Sequence, residues 1–340
     1  VTRHETFTAT THDETAAGRR KAMLHSAMGP AIAAALDDPR VIEIMVNPDG
    51  ALRLDLLGEG RVDTDIVLGP SEVERIIRLV ASHVRTEVHA DAPILSAELP
   101  PQTEGRAGER FEAILPPVAV GPCFAIRKPA SRPYSMDDYV SDGIISDTAA
   151  ALLRRAVHER WNILVAGATS SGKTTLANAL LGEIGAREER LILIEDTREL
   201  QSPSVDTVAL RTRAGIVTMT DLVRSTLRLR PDRIIVGEVR GPEALDMLKA
   251  WNTGHPGGIA TVHANGSAAA LGRIESLVQE AVATVPRALI ADAIDLIVFM
   301  SGRGASRRVT SLARVDGLDT QGGYRLTELL VPPTPTGLAL

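Results

Sequence analysis

The sequence predicts two folded parts, a smaller α+β domain followed by an α/β domain built around a parallel-rich sheet with flanking helices. Three observations carry this reading. Over residues 147–331 short apolar runs alternate with helical stretches, the pattern of strands that need helical crossovers. A glycine-rich turn joins the first of those runs to the helix that follows it. Between about 22 and 128, short extended runs dominate and a single amphipathic helix interrupts them.

Taken in order, residues 1–20 show neither helical nor strand period and read as a flexible arm. The N-terminal domain, 21–128, carries extended runs at 41–47 (VIEIMVN), 51–57 (ALRLDLL), 110–115 (RFEAIL) and 123–128 (CFAIRK). Its helix is predicted at 71–84, where Val73, Ile76, Ile77, Val80 and Val84 fall on one helical face. The stretch KPASRPYSMDDYVSDG at 128–143 is punctuated by Pro and Ser, so residues 129–146 read as a linker and a natural hinge. From 147 the strands NILVAG, RLILIE, TVALRT, RIIVGE, GIATVH and DLIVFM alternate with helices near 173–184, 220–230, 242–252 and 267–283. Pro242 after Gly241, and Ser267 ahead of an Ala-rich run, are good helix openings. Residues 332–340 form a Pro/Thr tail.

Composition narrows the function. With 44% hydrophobic and 24% charged residues in 340, the chain can bury sizeable cores, which excludes a disordered or collagen-like protein. Cys123 is the single cysteine, so no intrachain disulfide can form. The longest apolar candidate, Leu289 to Met300, is too short to span a bilayer and contains Asp292 and Asp295. With no apolar signal core in the first 20 residues, the expected location is the cytoplasm. A net charge of −6 and only two Trp, three Tyr and four Phe argue against direct DNA binding, which needs a basic face or a stacking platform.

The turn at 167–174 reads G-x-x-x-x-G-K-T, between the strand NILVA and the helix TTLANALL. That context gives the pattern a mechanism: inward-turned N–H groups and a helix N-terminus cradle phosphates, Lys173 reaches the β/γ-phosphates, and Thr174 can ligate Mg²⁺. ATP with Mg²⁺ is the expected ligand, and Gly167, Ala168, Thr169, Ser170, Ser171, Gly172, Lys173, Thr174 and Thr175 form its cradle. Hydrolysis also needs carboxylates near the metal and the attacking water. Two strands end in acids, one at Glu195-Asp196 and one at Gly237-Glu238. Asp196 and Glu238 join Thr174 as metal candidates, and Glu238, with Glu195 as competitor, is the candidate base. His263 ends a further strand, where a γ-phosphate sensor would sit, although a histidine there is more often structural. No second His or Cys stands at zinc-ligand spacing from it. Arg110, Arg127, Arg211 and Arg213 lie in or beside extended runs, where guanidinium groups could offset developing phosphate charge.

The order of P-loop, EDTREL, LRTRAG, RLRPDRIIVGEVRG and GHPGGIATVHANG resembles the secretion superfamily of hexameric ATPases, which powers type II secretion, type IV pili and type IV secretion. The last two segments are most similar to its conjugal transfer branch, and the resemblance spans roughly residues 20–330. It implies a RecA-like P-loop ATPase domain behind the α+β domain. Within that domain Gly167 to Thr175 would be the Walker A loop, Glu195 and Asp196 the Asp box, Gly237 and Glu238 an atypical Walker B, and His263 the His box. It further implies that Arg110 and Arg127 close over the nucleotide and that Arg211 and Arg213 lie near the γ-phosphate or a neighbouring subunit. A hexameric homo-oligomer follows from the same resemblance, with inner-membrane and coupling components of a type IV secretion system as partners and peripheral attachment at the inner membrane.

The resulting expectation is an ATP-hydrolysing motor that powers assembly of a conjugative apparatus or pilus and transport of its substrate. A pilus assembly or retraction ATPase shares the same motifs. A nucleotide-gated scaffold with little turnover and a DNA-binding motor subunit are the readings from other classes; intact Lys173, Glu195 and Glu238 weigh against the scaffold.

Overall fold

The computed structural model describes residues 23–24, 26–101, 108–129, 134–185, 189–213 and 215–330. The expected N-terminal arm and C-terminal tail lie outside the described residues. The chain divides into two compact units, 1–131 and 132–340.

The first unit runs α1 (Pro30–Asp37), β1 (Val41–Val46), β2 (Ala51–Leu56), β3 (Gly60–Val67), α2 (Pro70–His83), β4 (Ile94–Glu98), β5 (Arg110–Ile114) and β6 (Cys123–Arg127). Its six strands form one sheet in the order β3-β2-β1-β6-β5-β4, antiparallel throughout. Alternation sorts the residues. Ile44, Phe111 and Ile126 are fully buried with Val73, Ile76, Ile77 and Val80 of α2. The opposite face carries a row of charged residues in register across all six strands: Arg61, Asp55, Glu43, Arg127, Arg110 and Glu98. Three elements of this unit went unpredicted: α1, where the reading allowed the domain a single helix, β3 and β4. β3 is an edge strand exposed along most of its length, so it shows no apolar face, and β4 is short and split between exposed and buried positions.

The second unit runs α3 (Met136–Ser141), α4 (Asp147–His158), β7 (Ile163–Gly167), α5 (Lys173–Ile184), β8 (Leu191–Glu195), β9 (Thr207–Arg211), α6 (Met219–Thr226), β10 (Arg233–Val236), α7 (Glu243–Asn252), β11 (Ile259–Val262), α8 (Ser267–Gln279), α9 (Arg287–Ala293), β12 (Leu296–Ser301), β13 (Arg308–Leu318) and β14 (Tyr324–Glu328). Eight strands form one sheet in the order β14-β13-β12-β7-β11-β10-β8-β9. β12 through β9 are parallel, and β13 and β14 complete one edge antiparallel. Strands β7, β8, β10 and β11 are buried at every residue, as a sheet covered on both faces requires. Ile163, Val165, Leu191 and Leu193 pack toward α3, α4 and α5, whereas Leu164, Ala166, Ile192 and Ile194 pack toward α6 to α9.

One expectation is corrected here. Residues 129–146 do not behave as a linker throughout: α3 lies within them, and Met136 and Tyr139 are fully buried in the second unit's core. Ser135 opens α3 with a capping box, its hydroxyl accepting from the Asp138 N–H at 3.1 Å while Asp138 accepts from the Ser135 N–H at 2.8 Å. Ser135, one of the Pro and Ser residues that suggested a linker, is therefore the residue that caps a helix.

Asn162, at the entry to β7, ties the sheet together below the site. Its Oδ1 accepts from the N–H groups of Gly257 and Gly258, each at 2.9 Å, and its Nδ2 donates to the Ala293 carbonyl at 2.8 Å. One amide side chain thus sets β11 beside β7 and anchors the end of α9.

Candidate nucleotide site

The four strands that carry the predicted motifs are consecutive neighbours in the order β7, β11, β10, β8. Because they run parallel, the residues that follow their C-terminal ends meet along one edge, the edge where open α/β sheets bind ligands.

The loop after β7 turns through left-handed backbone at Ser170 (φ 62°) and Gly172 (φ 93°). Lys173 begins α5 with its side chain 7% exposed. Its Nζ donates to the Ala168 carbonyl at 3.0 Å and lies 3.2 Å from His263 Nδ1. Burial, and then the Lys173 charge, hold His263 below its ordinary pKa, so the imidazole is neutral at pH 7. With Lys173 at Nδ1, the other ring nitrogen, Nε2, lies 2.7 Å from Glu238 Oε1. This contact is close but not aligned as a hydrogen bond, and Oε1 is buried without a hydrogen-bond partner. Arg240 Nη2 donates to the other Glu238 oxygen at 2.5 Å. Arg240 Nη1 stands 3.8 Å from Asp196 Oδ2, and Asp196 Oδ1 accepts from the Thr212 hydroxyl at 2.9 Å. Lys173, His263, Glu238, Arg240, Asp196 and Thr212 therefore form one lateral chain of contacts across the strand ends.

Glu195 sits beside this chain in a different state. It is 3% exposed, and its Oε1 accepts from the N–H groups of Glu199 and Leu200, both at 2.8 Å. Burial nevertheless pushes its carboxyl up to about 7, against the pull of those two bonds. Gly237 makes room for it, since a Cβ there would stand 3.0 Å from Glu195 Cγ. The turn bearing Glu238 is held from below. Gly237 N–H donates to the Ile194 carbonyl at 2.9 Å, the Thr261 hydroxyl donates to the Gly237 carbonyl at 2.7 Å, and Glu243 accepts from the N–H groups of Arg240 at 2.7 Å and Gly241 at 2.9 Å.

Thr174 and Thr175 lie in the first turn of α5, next to the loop residues Gly167 to Gly172. Arg211 ends β9, and both it and Arg213 are exposed; the side chain that turns toward Asp196 is Thr212, between them. Arg110 and Arg127 are direct cross-strand partners in the first unit, with Glu43 on the other side of Arg127. Burial raises the Glu43 carboxyl and Arg127 opposes the rise. Sequence reasoning missed Arg240 and Thr212. Both were legible as alternation: Arg240 stands two residues after Glu238, and Thr212 occupies the inward position between two outward arginines.

The residues present suit a magnesium nucleotide. Polyphosphate needs hydrogen-bond donors, and the loop offers Lys173 and a buried Ser171 hydroxyl with no partner. A hard cation needs oxygens, and the Glu238 carboxylate faces the same place. Among the described residues no cluster of three or more His, Cys, Asp or Glu could hold a metal by itself. A cation here would need phosphate oxygens and water to complete its ligands.

Comparison with known proteins gives a consistent result. Residues 63–303 match the family model of the type II/IV secretion system protein. Conjugal transfer protein TrbB of Rhizobium radiobacter is 45% identical over 296 residues, covering 86% of this chain and 90% of that protein. Type IV secretion system protein PtlH of Bordetella pertussis is 34% identical over 317 residues, covering 82% of this chain and 91% of that protein. Among solved structures, the Legionella pneumophila ATPase DotB superposes with a TM-score of 0.56 at 17% identity, covering 94% of this chain and 84% of that one, a likeness of fold. Among the described residues no helix is long and apolar enough to cross a membrane.

Proposed function

The chain belongs to the type II/IV secretion system protein family, and from that premise we propose that it is the ATP-hydrolysing motor of a conjugative type IV secretion system. Its working form would be a homo-oligomeric, hexameric ring in the cytoplasm, engaging inner-membrane and coupling components of the secretion apparatus. Conjugal transfer in the name of its TrbB relative supports the system. The observation that carries the chemistry is the contact chain from Lys173 through His263 to Glu238 and on through Arg240 to Asp196.

In this reading the loop Gly167–Thr175 holds the phosphates of ATP, and Lys173 moves from the Ala168 carbonyl to a phosphate oxygen. Thr174, Asp196 and Glu238 would hold Mg²⁺, which would offset phosphate charge when bound. Glu238 orients and accepts a proton from the attacking water through Oε1, the oxygen with no hydrogen-bond partner. Glu195 is the weaker candidate base, because its Oε1 already takes two backbone N–H bonds. His263, held neutral by burial and the Lys173 charge, senses the γ-phosphate between Lys173 and Glu238. Arg213 and Arg211 are the further cations of the second unit available to transition-state charge.

Steady-state ATP hydrolysis, measured across protein concentration with mass read by light scattering, tests the proposal. Turnover should rise with assembly. Lys173→Ala should lose nucleotide binding, whereas Glu238→Gln should bind ATP and lose about 10²–10⁴-fold in turnover. Tight ATP binding by a monomer with no turnover under any condition would replace the motor with a nucleotide-gated scaffold.

A further inference from the structure

Beside the P-loop, on the flank away from His263 and Glu238 in strand order, lies a basic group that the contact chain does not use. β12 pairs with β7 in register from Leu296↔Ile163 to Met300↔Gly167, so the connection from β12 to β13 is delivered next to the loop. That connection ends in Arg307. Its guanidinium packs against the bare Cα of Gly172: a Cβ on Gly172 would stand 2.8 Å from Arg307 Nε and 2.9 Å from Cζ. Gly172 is therefore required twice, by its positive φ and by the arginine laid against it.

The polar atoms around this contact are buried without partners. Arg307 Nε has none, nor does the hydroxyl of Ser171, the residue before Gly172, which is 1% exposed. The Tyr139 hydroxyl has none either; Tyr139 is fully buried, and the Arg307 charge acts on it against the upward push of burial. A buried guanidinium N–H without an acceptor is costly, and so are two hydroxyls without partners. Such groups are retained where a ligand satisfies them, and a P-loop flank is where an anion with many acceptor oxygens binds.

We propose that Arg307 is a direct phosphate ligand of the bound nucleotide, donating from its guanidinium across the Gly172 flank while Lys173 acts from the other side. Ser171 completes the same flank. The inference rests on the nucleotide reading of the P-loop and adds a phosphate contact from the β12–β13 connection that none of the sequence motifs contains.

Isothermal titration of the full chain with Mg·ADP and, separately, with tripolyphosphate tests it; neither requires turnover. Arg307→Met should weaken both ligands by about 10–100-fold, the worth of a charge-assisted hydrogen bond. Arg307→Lys, which keeps the charge but not the fork, should weaken both by less, and it carries the test should the Met variant fail to fold. Unchanged affinities with a lowered melting temperature of the ligand-free protein would make Arg307 a structural prop for the loop and overturn the proposal. Loss for ADP with tripolyphosphate unaffected would move the contact to the nucleoside and also overturn it. If the unmodified chain binds ADP and Lys173→Ala does not, the nucleotide reading stands whatever Arg307 does; if the unmodified chain binds neither ligand, both readings fall.

Discussion

Glu195→Gln should make the second unit more stable at pH 8 and leave it nearly unchanged at pH 4.5. Burial raises the Glu195 carboxyl from 4.5 to about 7, so the native state holds a proton that the unfolded chain releases anywhere between those values. The sign follows from linkage. Stability is free of this penalty below the unfolded pKa, declines as pH rises from 4.5 toward 7, and carries the full penalty above 7. A shift of that size corresponds to about 3 kcal/mol, at 1.36 kcal/mol per pH unit. Glutamine keeps a carbonyl oxygen to accept from the Glu199 and Leu200 N–H groups, so the two bonds survive while the charge is removed. For a unit of this size that gain is roughly 6–12 °C in melting temperature. Both tryptophans of the chain, Trp161 and Trp251, lie in the second unit. Intrinsic fluorescence in urea therefore reports that unit alone, and melts at pH 4.5, 6 and 8 give the curve directly. A stability difference that is the same at every pH, or that favours the unmodified chain at pH 8, would refute the reasoning. Turnover of the same variant within a few-fold of the unmodified protein would leave Glu238 as the base.

Two further changes probe the frame around the site. Arg240→Gln releases the Glu238 oxygen held at 2.5 Å and the Asp196 contact at 3.8 Å; turnover should fall about 10–100-fold while ADP affinity, read by titration, stays within about threefold, because the loss is one of carboxylate positioning. Asn162→Ala strips partners from the Gly257 and Gly258 N–H groups and the Ala293 carbonyl, and urea melts should show a loss of about 3–5 kcal/mol from the second unit.

The second domain was largely legible because its strands are buried on both faces. NILVAG, RLILIE and RIIVGE have unbroken apolar centres and GIATVH one interrupted only by Thr261, all four lead into the residues of the site, and a P-loop announces its own strand and helix. What sequence order could not show is lateral order. Nothing in the spacing of the motifs says that His263 stands between Lys173 and Glu238, and that arrangement separates Glu238, with an oxygen left over, from Glu195, whose Oε1 is spent on backbone N–H groups. The helix α3 was hidden for a different reason: Ser and Asp at its start serve loops and capping boxes alike, and only the burial of Met136 and Tyr139 decides between them. Arg307 was invisible because its contact with Gly172 is made across the sheet rather than along the chain.

The strand order also bears on how the protein is made. β7 is the first strand of its sheet to be synthesised, yet its two neighbours, β11 and β12, are the last two of the parallel set. Until β11 has left the ribosome, the P-loop strand lacks both of its neighbours, and His263, 90 residues downstream of Lys173, has not reached the site; β12, the other neighbour, follows later still. A nascent or truncated chain can thus carry the complete glycine-rich loop and still hold no working centre. Closure of the sheet around β7 is the event that brings the loop and His263 together, so on the proposed reading nucleotide binding would mark a chain that has placed β11 and β12 beside β7.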